Sequence, residues 1–462
     1  MARRGPRRWR LRLLGRTVRA RRRRLAFLGV LAALLVAGLT AAAAIGPGVL
    51  RAAGASAEQA HAPAPSGAAG ARPSDSAPPV LAAAPAAVPA PSPAPAAASA
   101  PASSGAQPAW QDLPASLAGT VAQFVSSQGA AGAAVAVSTG PGATPRARYL
   151  ATVGQAASGT PWTADMRSAF RSITKSFVGT AVLQLVAQGR VGIDDPVAKY
   201  VPAVAGVQYG GVPVGGQITV RQALQMRTGL PEFSSTQGFS DQLNSDYTGA
   251  FTDAQLLGYA FAQPLNFAPG AQYEYSNTNF VLLGKVIEAV TGSPWDRELQ
   301  SSILGPLGLT SVAYSGDQDP AAPVATPYQA TDAGLESLAQ VSPSMYGASG
   351  GYFGSIADLL TWGRALGSGA LLPAALQKER LTSVSNPADD PGSPEYDGYG
   401  LAAGSLGGWW GHTGTGLGYE SLTMYQPSTG TTVAILINTQ LGSPNGAAEL
   451  FEQLEPGLAA LG

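Results

Sequence analysis

Beyond residue 108 the 462-residue chain predicts an α/β domain, an antiparallel sheet flanked by helices plus an all-helical subdomain. Three observations carry this. Strand patterns occur near 132–138 and 147–154, and again at Tyr419–Tyr425 and Thr431–Asn438. Between them, roughly from 219 to 310, apolar residues recur at helical spacing. An amphipathic stretch from about Gly446 then closes the chain. Strands at both ends of a helical middle bury their apolar faces most simply by pairing across it, which leaves a cleft between sheet and helices.

Each element has a local reason. A helix is expected near 113–127, ahead of the first strand. The apolar-periodic stretch from Ser172 to about Gly189 reads as a long helix. Thr219-Val220-Arg221-Gln222 fits a capping box, and Ser355-Ile356-Ala357-Asp358 resembles another that opens a helix to about Leu366. Pro269-Gly270 makes a turn before a helix from about Asn277 to Thr291. Pro427-Ser428-Thr429-Gly430, between two alternating runs, is a hairpin by its turn chemistry.

The first 108 residues are of another kind. Residues 1–24 form a basic tip with 12 arginines, followed by Leu25–Leu50, 26 residues without a charge. As a helix that run spans about 39 Å, more than the roughly 30 Å hydrocarbon core of a bilayer. Arginines ahead of it place the N-terminus inside the cell and the remainder outside, so the domain is expected to be extracytoplasmic. Two readings stay open: a retained transmembrane anchor, or a signal peptide cut near Ala41–Ala44 that leaves a secreted protein. Residues 51–108, mostly Ala, Pro, Ser and Gly, read as an extended linker to the domain at 109–462.

Composition excludes several classes of function. Residues 1–51 hold 13 of the 28 basic residues and no acid, leaving 15 bases against 28 acids in the body. An acidic body argues against nucleic acid as a partner. With no cysteine there is no disulfide, lipoprotein anchor or thiolate metal site. Of the two histidines His61 sits in the linker, so neither a metal nor a cofactor is expected. The acidic run Asp389-Asp390, Glu395, Asp397 reads as a solvated loop with at most weak calcium affinity. A monomer is expected.

Three short motifs carry chemistry. Of the four lysines only Lys175 has a serine three residues upstream, Ser172. On a helix those positions share a face, and an amine held in apolar surroundings can fall from its usual pKa of about 10.4 and accept the serine proton. By itself the pair also fits a capping serine beside a surface lysine. Tyr275-Ser276-Asn277 stands before a helix, where serine or asparagine commonly caps. His412-Thr413-Gly414-Thr415 follows Trp409-Trp410-Gly411, where glycine permits close strand packing.

In this order and at these intervals the motifs resemble the serine β-lactamase-like family: class C β-lactamases, soluble D-alanyl-D-alanine carboxypeptidases, and their esterase and amidase relatives. The resemblance covers about residues 115–455. It takes in Gly192-Ile193-Asp194-Asp195-Pro196, Ala268-Pro269-Gly270, Pro306-Leu307-Gly308-Leu309-Thr310 and Gly350-Gly351-Tyr352-Phe353-Gly354-Ser355. It implies the β-lactamase/transpeptidase fold, with Ser172 attacking a carbonyl and Lys175 and Tyr275 sharing its proton. It implies also that Asn277 binds the substrate amide and helps hold Lys175, that His412, Thr413 and Thr415 line the substrate strand, and that the Ser172 and Thr415 N–H groups form the oxyanion hole.

The chain departs from the family pattern in places. Arg171 stands where relatives often have glycine, Met226-Arg227-Thr228-Gly229 replaces a His-Thr-Ser-Gly segment, and His412 replaces the lysine common in β-lactamases. No arginine or lysine follows Arg380, so a substrate carboxylate would need a donor from elsewhere, such as Arg227 or Arg171. The expected function is an extracytoplasmic serine hydrolase acting through an acyl-enzyme on D-Ala-D-Ala-type peptidoglycan peptides. An esterase or D-amino-acid amidase comes next, then a β-lactamase. The reading from another class, a non-catalytic peptidoglycan-binding relative, meets the presence of all of Ser172, Lys175 and Tyr275. A rival nucleophile elbow, Gly347-Ala348-Ser349-Gly350-Gly351 with Asp389, Asp390 or Asp397 and then His412, lacks the buried strand and following helix that it needs.

Overall fold

The computed structural model describes residues 107–461 apart from 143, 391–395 and 442–444. The basic tip, the 25–50 segment, the linker up to residue 106 and Glu395 lie outside the described residues. Among those described, no helix is long and apolar enough to cross a membrane.

Small and β-branched residues build the centre of the sheet. Strand β2 (Gly132–Thr139) is buried along its whole length, as are β7 (Tyr419–Tyr425) and β8 (Thr432–Ile437). Strands covered on both faces need no polar alternation. With β1 (Trp110–Asp112), β3 (Ala147–Ala157), β4 (Gly398–Tyr399), β5 (Gly404–Leu406) and β6 (Trp409–Gly416) the order is β1-β3-β2-β8-β7-β6-β5-β4. Every pair is antiparallel except β1 on β3. The β2–β8 ladder, with Val135 opposite Ile435, joins the two ends of the chain across the helical middle as expected.

Alternation along β7 separates the two faces. Glu420 accepts the N–H groups of Leu441 and Gly446 (2.9 and 2.6 Å), beside helix α5 (Gly446–Leu458), which packs with α1 (Ala115–Gln128). Ser421 and Thr423 face the other way, toward Phe170 and helix α4 (Ile356–Ser368). Gly363 lets α4 lie on the strand, since a Cβ there would come 1.9 Å from Thr423 Oγ1.

On that same face lie α2 (Thr174–Ala187) and α3 (Thr278–Thr291), packed on one another. Helix α2 is buried nearly all round; Phe177 stacks on Trp362 at 3.7 Å and meets Tyr352 edge-on at 5.2 Å. Short helices at Val220–Leu224, Gln237–Ser245 and Asp253–Phe261 make up the helical subdomain with α3. The Thr219–Gln222 capping box forms in full. The one at Ser355 forms by half: Ser355 accepts the Asp358 N–H, but the shorter Asp358 carboxylate binds Ser311 N and Oγ instead of reaching back.

The expected helix start at Ser172 is displaced. Residues Arg171–Ile173 form a 3₁₀ turn, and the α-helix begins at Thr174. Unforeseen strands at Arg167–Ala169 and Phe353–Ser355 pair antiparallel beside this turn and bring the segment 349–352 against it. Phe170 N donates to Tyr352 O, and Tyr352 N to Thr174 Oγ1.

Candidate active site

The 3₁₀ turn lifts Ser172 to the rim of α2, half-buried, while Lys175 one turn on is fully buried. Lys175 Nζ lies 2.9 Å from Ser172 Oγ, 2.6 Å from Asn277 Oδ1 and 2.8 Å from the Ser349 carbonyl. Burial lowers the ammonium pKa from its ordinary value to about 7, and the charge of Glu232 partly restores it. The geometry suits the neutral amine. An amide oxygen and a carbonyl can only accept, so they take its two N–H groups and leave the lone pair facing the serine hydroxyl. That is the arrangement of a general base for Ser172.

Asn277 begins α3 at a position where a capping side chain is common, yet it makes no capping bond. Its Nδ2 donates to Glu232 Oε1 at 3.1 Å and its backbone N–H to Glu232 Oε2 at 2.5 Å. With the amide nitrogen held by a carboxylate, Oδ1 must face Lys175. Glu232 was not foreseen in the sequence. It lies in Gly229-Leu230-Pro231-Glu232, between recognised motifs, and no spacing rule ties it to Asn277, 45 residues away.

Tyr275 stands over the same amine, its ring centre 5.0 Å from Lys175 Nζ. Its hydroxyl is buried and makes no hydrogen bond of ordinary geometry, with the Ser172 hydroxyl as its near neighbour. Burial holds the phenol well above its ordinary pKa of 10, Tyr396 adds to this, and Ser172 draws it back, so it stays protonated and close to the nucleophile. The acidic loop reaches this segment: Asp390 Oδ2 accepts the Tyr275 N–H at 2.8 Å.

The third motif lies on β6. Strand β5 pairs with β6 only up to Gly411, so beyond it β6 has no strand neighbour on its outer edge among the described residues. Thr413 N donates outward to Tyr396 OH at 2.8 Å, and by the period of two the Thr415 N–H points to the same edge. Thr415 is exposed, while Thr413 is buried with its Oγ1 2.8 Å from Tyr396 OH. Gly414 lets β6 approach the nucleophile turn: a Cβ there would sit 2.3 Å from the Phe170 carbonyl.

His412 is fully buried with Tyr399 OH 3.1 Å from Nε2 and both Tyr396 OH (3.1 Å) and the Thr413 carbonyl (2.6 Å) at Nδ1. Burial first, and then the charge of Lys175, lower its pKa to about 3. It is neutral across the physiological range. The carbonyl can only accept, so Nδ1 carries the proton and Nε2 receives the Tyr399 hydroxyl.

Neither arginine considered for a substrate carboxylate is free to bind one by the same atoms. Arg227 Nη2 donates to the Gly270 carbonyl, and buried Arg171 donates to the carbonyls of Gly416 and Leu417. Ser349 of the rival elbow lies at the end of a 3₁₀ turn (Gly347–Ser349) instead of after a strand, is fully buried, and donates to Tyr346 O at 2.6 Å. Tyr352 packs in the core against Trp295, Trp409 packs against Phe451, and Tyr273 packs on Tyr399.

A family model described as Beta-lactamase matches residues 117–455. A putative D-alanyl-D-alanine carboxypeptidase of Escherichia coli (strain K12) is 31% identical over 147 residues, 31% of this chain and 33% of the relative. Protein flp of Staphylococcus aureus (strain N315) is 33% identical over 146 residues, 31% of this chain and 27% of that protein, so this likeness too is to a part of the relative. The crystal structure of a D-stereospecific amidohydrolase from Streptomyces sp. is similar with a TM-score of 0.64 and 31% identity, covering 74% of this chain and 98% of that one. The family match thus runs through Ser172, Lys175, Tyr275 and the β6 motif alike, and the chain belongs to the beta-lactamase family of serine hydrolases.

Proposed function

We propose that the chain hydrolyses amide or ester bonds of D-configured substrates through an acyl-enzyme on Ser172, and that it favours leaving groups without a carboxylate. The observation that carries the chemistry is the buried Lys175 amine, with two acceptors on its N–H groups and its lone pair left for Ser172 Oγ. Ser172 passes its proton to Lys175 as its oxygen attacks the carbonyl. The proton then moves through Lys175 and Tyr275 to the departing amine or alkoxide. The N–H groups of Ser172 and Thr415 receive the negative oxygen; losing one such donor typically costs about 2.7–4 kcal/mol of transition-state stabilisation. Water then takes the leaving group's place, and the same groups release the acid.

The choice of leaving group reverses the order expected from the sequence, which put D-Ala-D-Ala peptides ahead of amides and esters. Three observations support the reversal. His412 is neutral where a cation would be needed, Arg171 and Arg227 are bound to backbone carbonyls, and Tyr396 occupies the Thr413 donor. A terminal carboxylate brought to the edge of β6 would lose water and meet a neutral His412 and the Tyr396 hydroxyl in place of a cation. Likeness to a D-stereospecific amidohydrolase at 31% identity is consistent with this reading, and likeness to a putative carboxypeptidase keeps the alternative in view. An extracytoplasmic location belongs to the same proposal.

Turnover of a D-amino-acid amide, a short acyl ester and a D-Ala-D-Ala peptide by residues 105–462 tests it, with Ser172→Ala and Ser349→Ala beside the native protein. Amide and ester cleavage abolished only by Ser172→Ala is expected. Faster turnover of the D-Ala-D-Ala peptide restores the carboxypeptidase reading, and activity surviving Ser172→Ala removes the acyl-enzyme altogether.

A further inference from the structure

Arg171, directly before the nucleophile, is 1% exposed and has a left-handed backbone with φ 48°. Residues carrying a Cβ rarely adopt it, and glycine would take it without strain. The side chain therefore has to account for its presence. Nε donates to the Gly416 carbonyl at 3.0 Å and Nη2 to that of Leu417 at 3.4 Å, while the guanidinium lies over the rings of Tyr346 (4.7 Å) and Tyr419 (5.2 Å). No described carboxylate pairs with it, and Nη1 is buried without a partner. The two carbonyls it holds belong to the tip of the β6–β7 hairpin, a two-residue turn in which Leu417 and Gly418 both have positive φ, 44° and 86°.

One side chain thus joins the residues flanking the two proposed oxyanion donors. Arg171 precedes Ser172, and Gly416 follows Thr415. We propose that Arg171 is a positioning residue that locks the β6–β7 hairpin tip onto the nucleophile turn and so sets the spacing of the Ser172 and Thr415 N–H groups. This rests on the acyl-enzyme reading above. The fork matters because a lysine offers a point charge and could not span two successive carbonyls in the same fixed geometry.

A simple arylboronic acid provides the test. Its boron takes the Ser172 oxygen, the proton passes to Lys175, and the tetrahedral anion presents one oxygen to the two N–H groups. Arg171→Gly, which suits the left-handed backbone and is the variant most apt to fold, and Arg171→Lys are compared with the native protein. Both variants are expected to bind the boronate about 10- to 100-fold more weakly and to lose a similar factor in kcat on an ester, with KM within about threefold. That is less than an outright lost donor, because the N–H group is displaced and not removed. Thermal melts report general loosening separately. Boronate affinity within threefold of native in both variants overturns the clamp while leaving the acyl-enzyme intact. No boronate adduct on native Ser172 overturns the acyl-enzyme reading, and the clamp with it.

Discussion

Glu232 and Asn277 meet twice: the carboxylate accepts the Asn277 backbone N–H at 2.5 Å and its side-chain amide at 3.1 Å. The second contact fixes which end of the amide faces Lys175, and the carboxylate is also the charge that raises the Lys175 pKa against burial. Glu232→Gln removes the charge and lets the amide turn. Lys175 then sheds its proton at lower pH, so the acid limb of kcat/KM should move down, while kcat falls about 10- to 100-fold as the base loses its fixed orientation. A pH profile on an ester reads both, and an acid limb that moves upward would contradict the assigned linkage.

The position of that limb in the native protein is a separate prediction. Activity needs the neutral amine, so kcat/KM should rise as pH passes about 7 and level off above it. His412, neutral down to about pH 3, contributes no step in between. Folding stability carries the same sign. Lys175 is depressed in the folded state below an unfolded value of about 10.4, so between roughly pH 7 and 10 the unfolded chain binds more protons at this group and the Lys175 contribution to stability rises with pH, opposite in sign to that of Glu420, which burial raises to about 8. Lys175→Met should abolish that rise. Urea unfolding at pH 7.5 and 9.5 of both proteins measures it.

How far the site could be read from sequence follows from how local each signal is. Ser172 and Lys175 declare themselves because one helical turn relates them, and the β2 and β7–β8 patterns because a buried strand is written in consecutive residues. Glu232 does not, since its link to Asn277 arises only when the Leu230–Pro231 turn is folded against the start of α3. The short strands Gly398–Tyr399 and Gly404–Leu406 are likewise silent: at two and three residues they have no period to detect, and only pairing defines them, Gly404–Leu406 on β6 and Gly398–Tyr399 on Gly404–Leu406. Arg171 could be seen as a departure, but its role depends on the hairpin tip more than 240 residues away.

Gly414 ties the packing of β6 to catalysis. An added Cβ would lie 2.3 Å from Phe170 O and 2.5 Å from Ser421 Oγ, so the strand has to retreat from the nucleophile turn. Gly414→Ala should destabilise the fold by about 1–3 kcal/mol as an overpacked site. It should also cut kcat by a larger factor than it changes KM, because Thr415 moves with the strand. A melting curve and steady-state kinetics on the same preparation separate the two; unchanged kcat in a destabilised variant would detach β6 from the chemistry.

Tyr396 is where the preference for uncharged leaving groups can be probed directly. Its hydroxyl accepts the Thr413 N–H, lies 2.8 Å from Thr413 Oγ1 and stands 3.1 Å from His412 Nδ1. The outer edge of β6 therefore meets a tyrosine where an incoming carboxylate would need donors. Tyr396→Phe leaves the ring and the packing on Tyr399 but frees both Thr413 groups. An unsatisfied buried donor costs roughly 1–3 kcal/mol, and a substrate oxygen that satisfies it recovers part of that. A carboxylate gains from this and a neutral amide gains less, so the ratio of kcat/KM for a D-Ala-D-Ala peptide over a D-amino-acid amide should rise about 3- to 30-fold. The absolute rate on the amide should fall, since His412 loses one of the hydroxyls beside its ring. If the ratio stays fixed while stability drops, Tyr396 only supports β6, and the discrimination lies with the neutral His412 and the committed arginines.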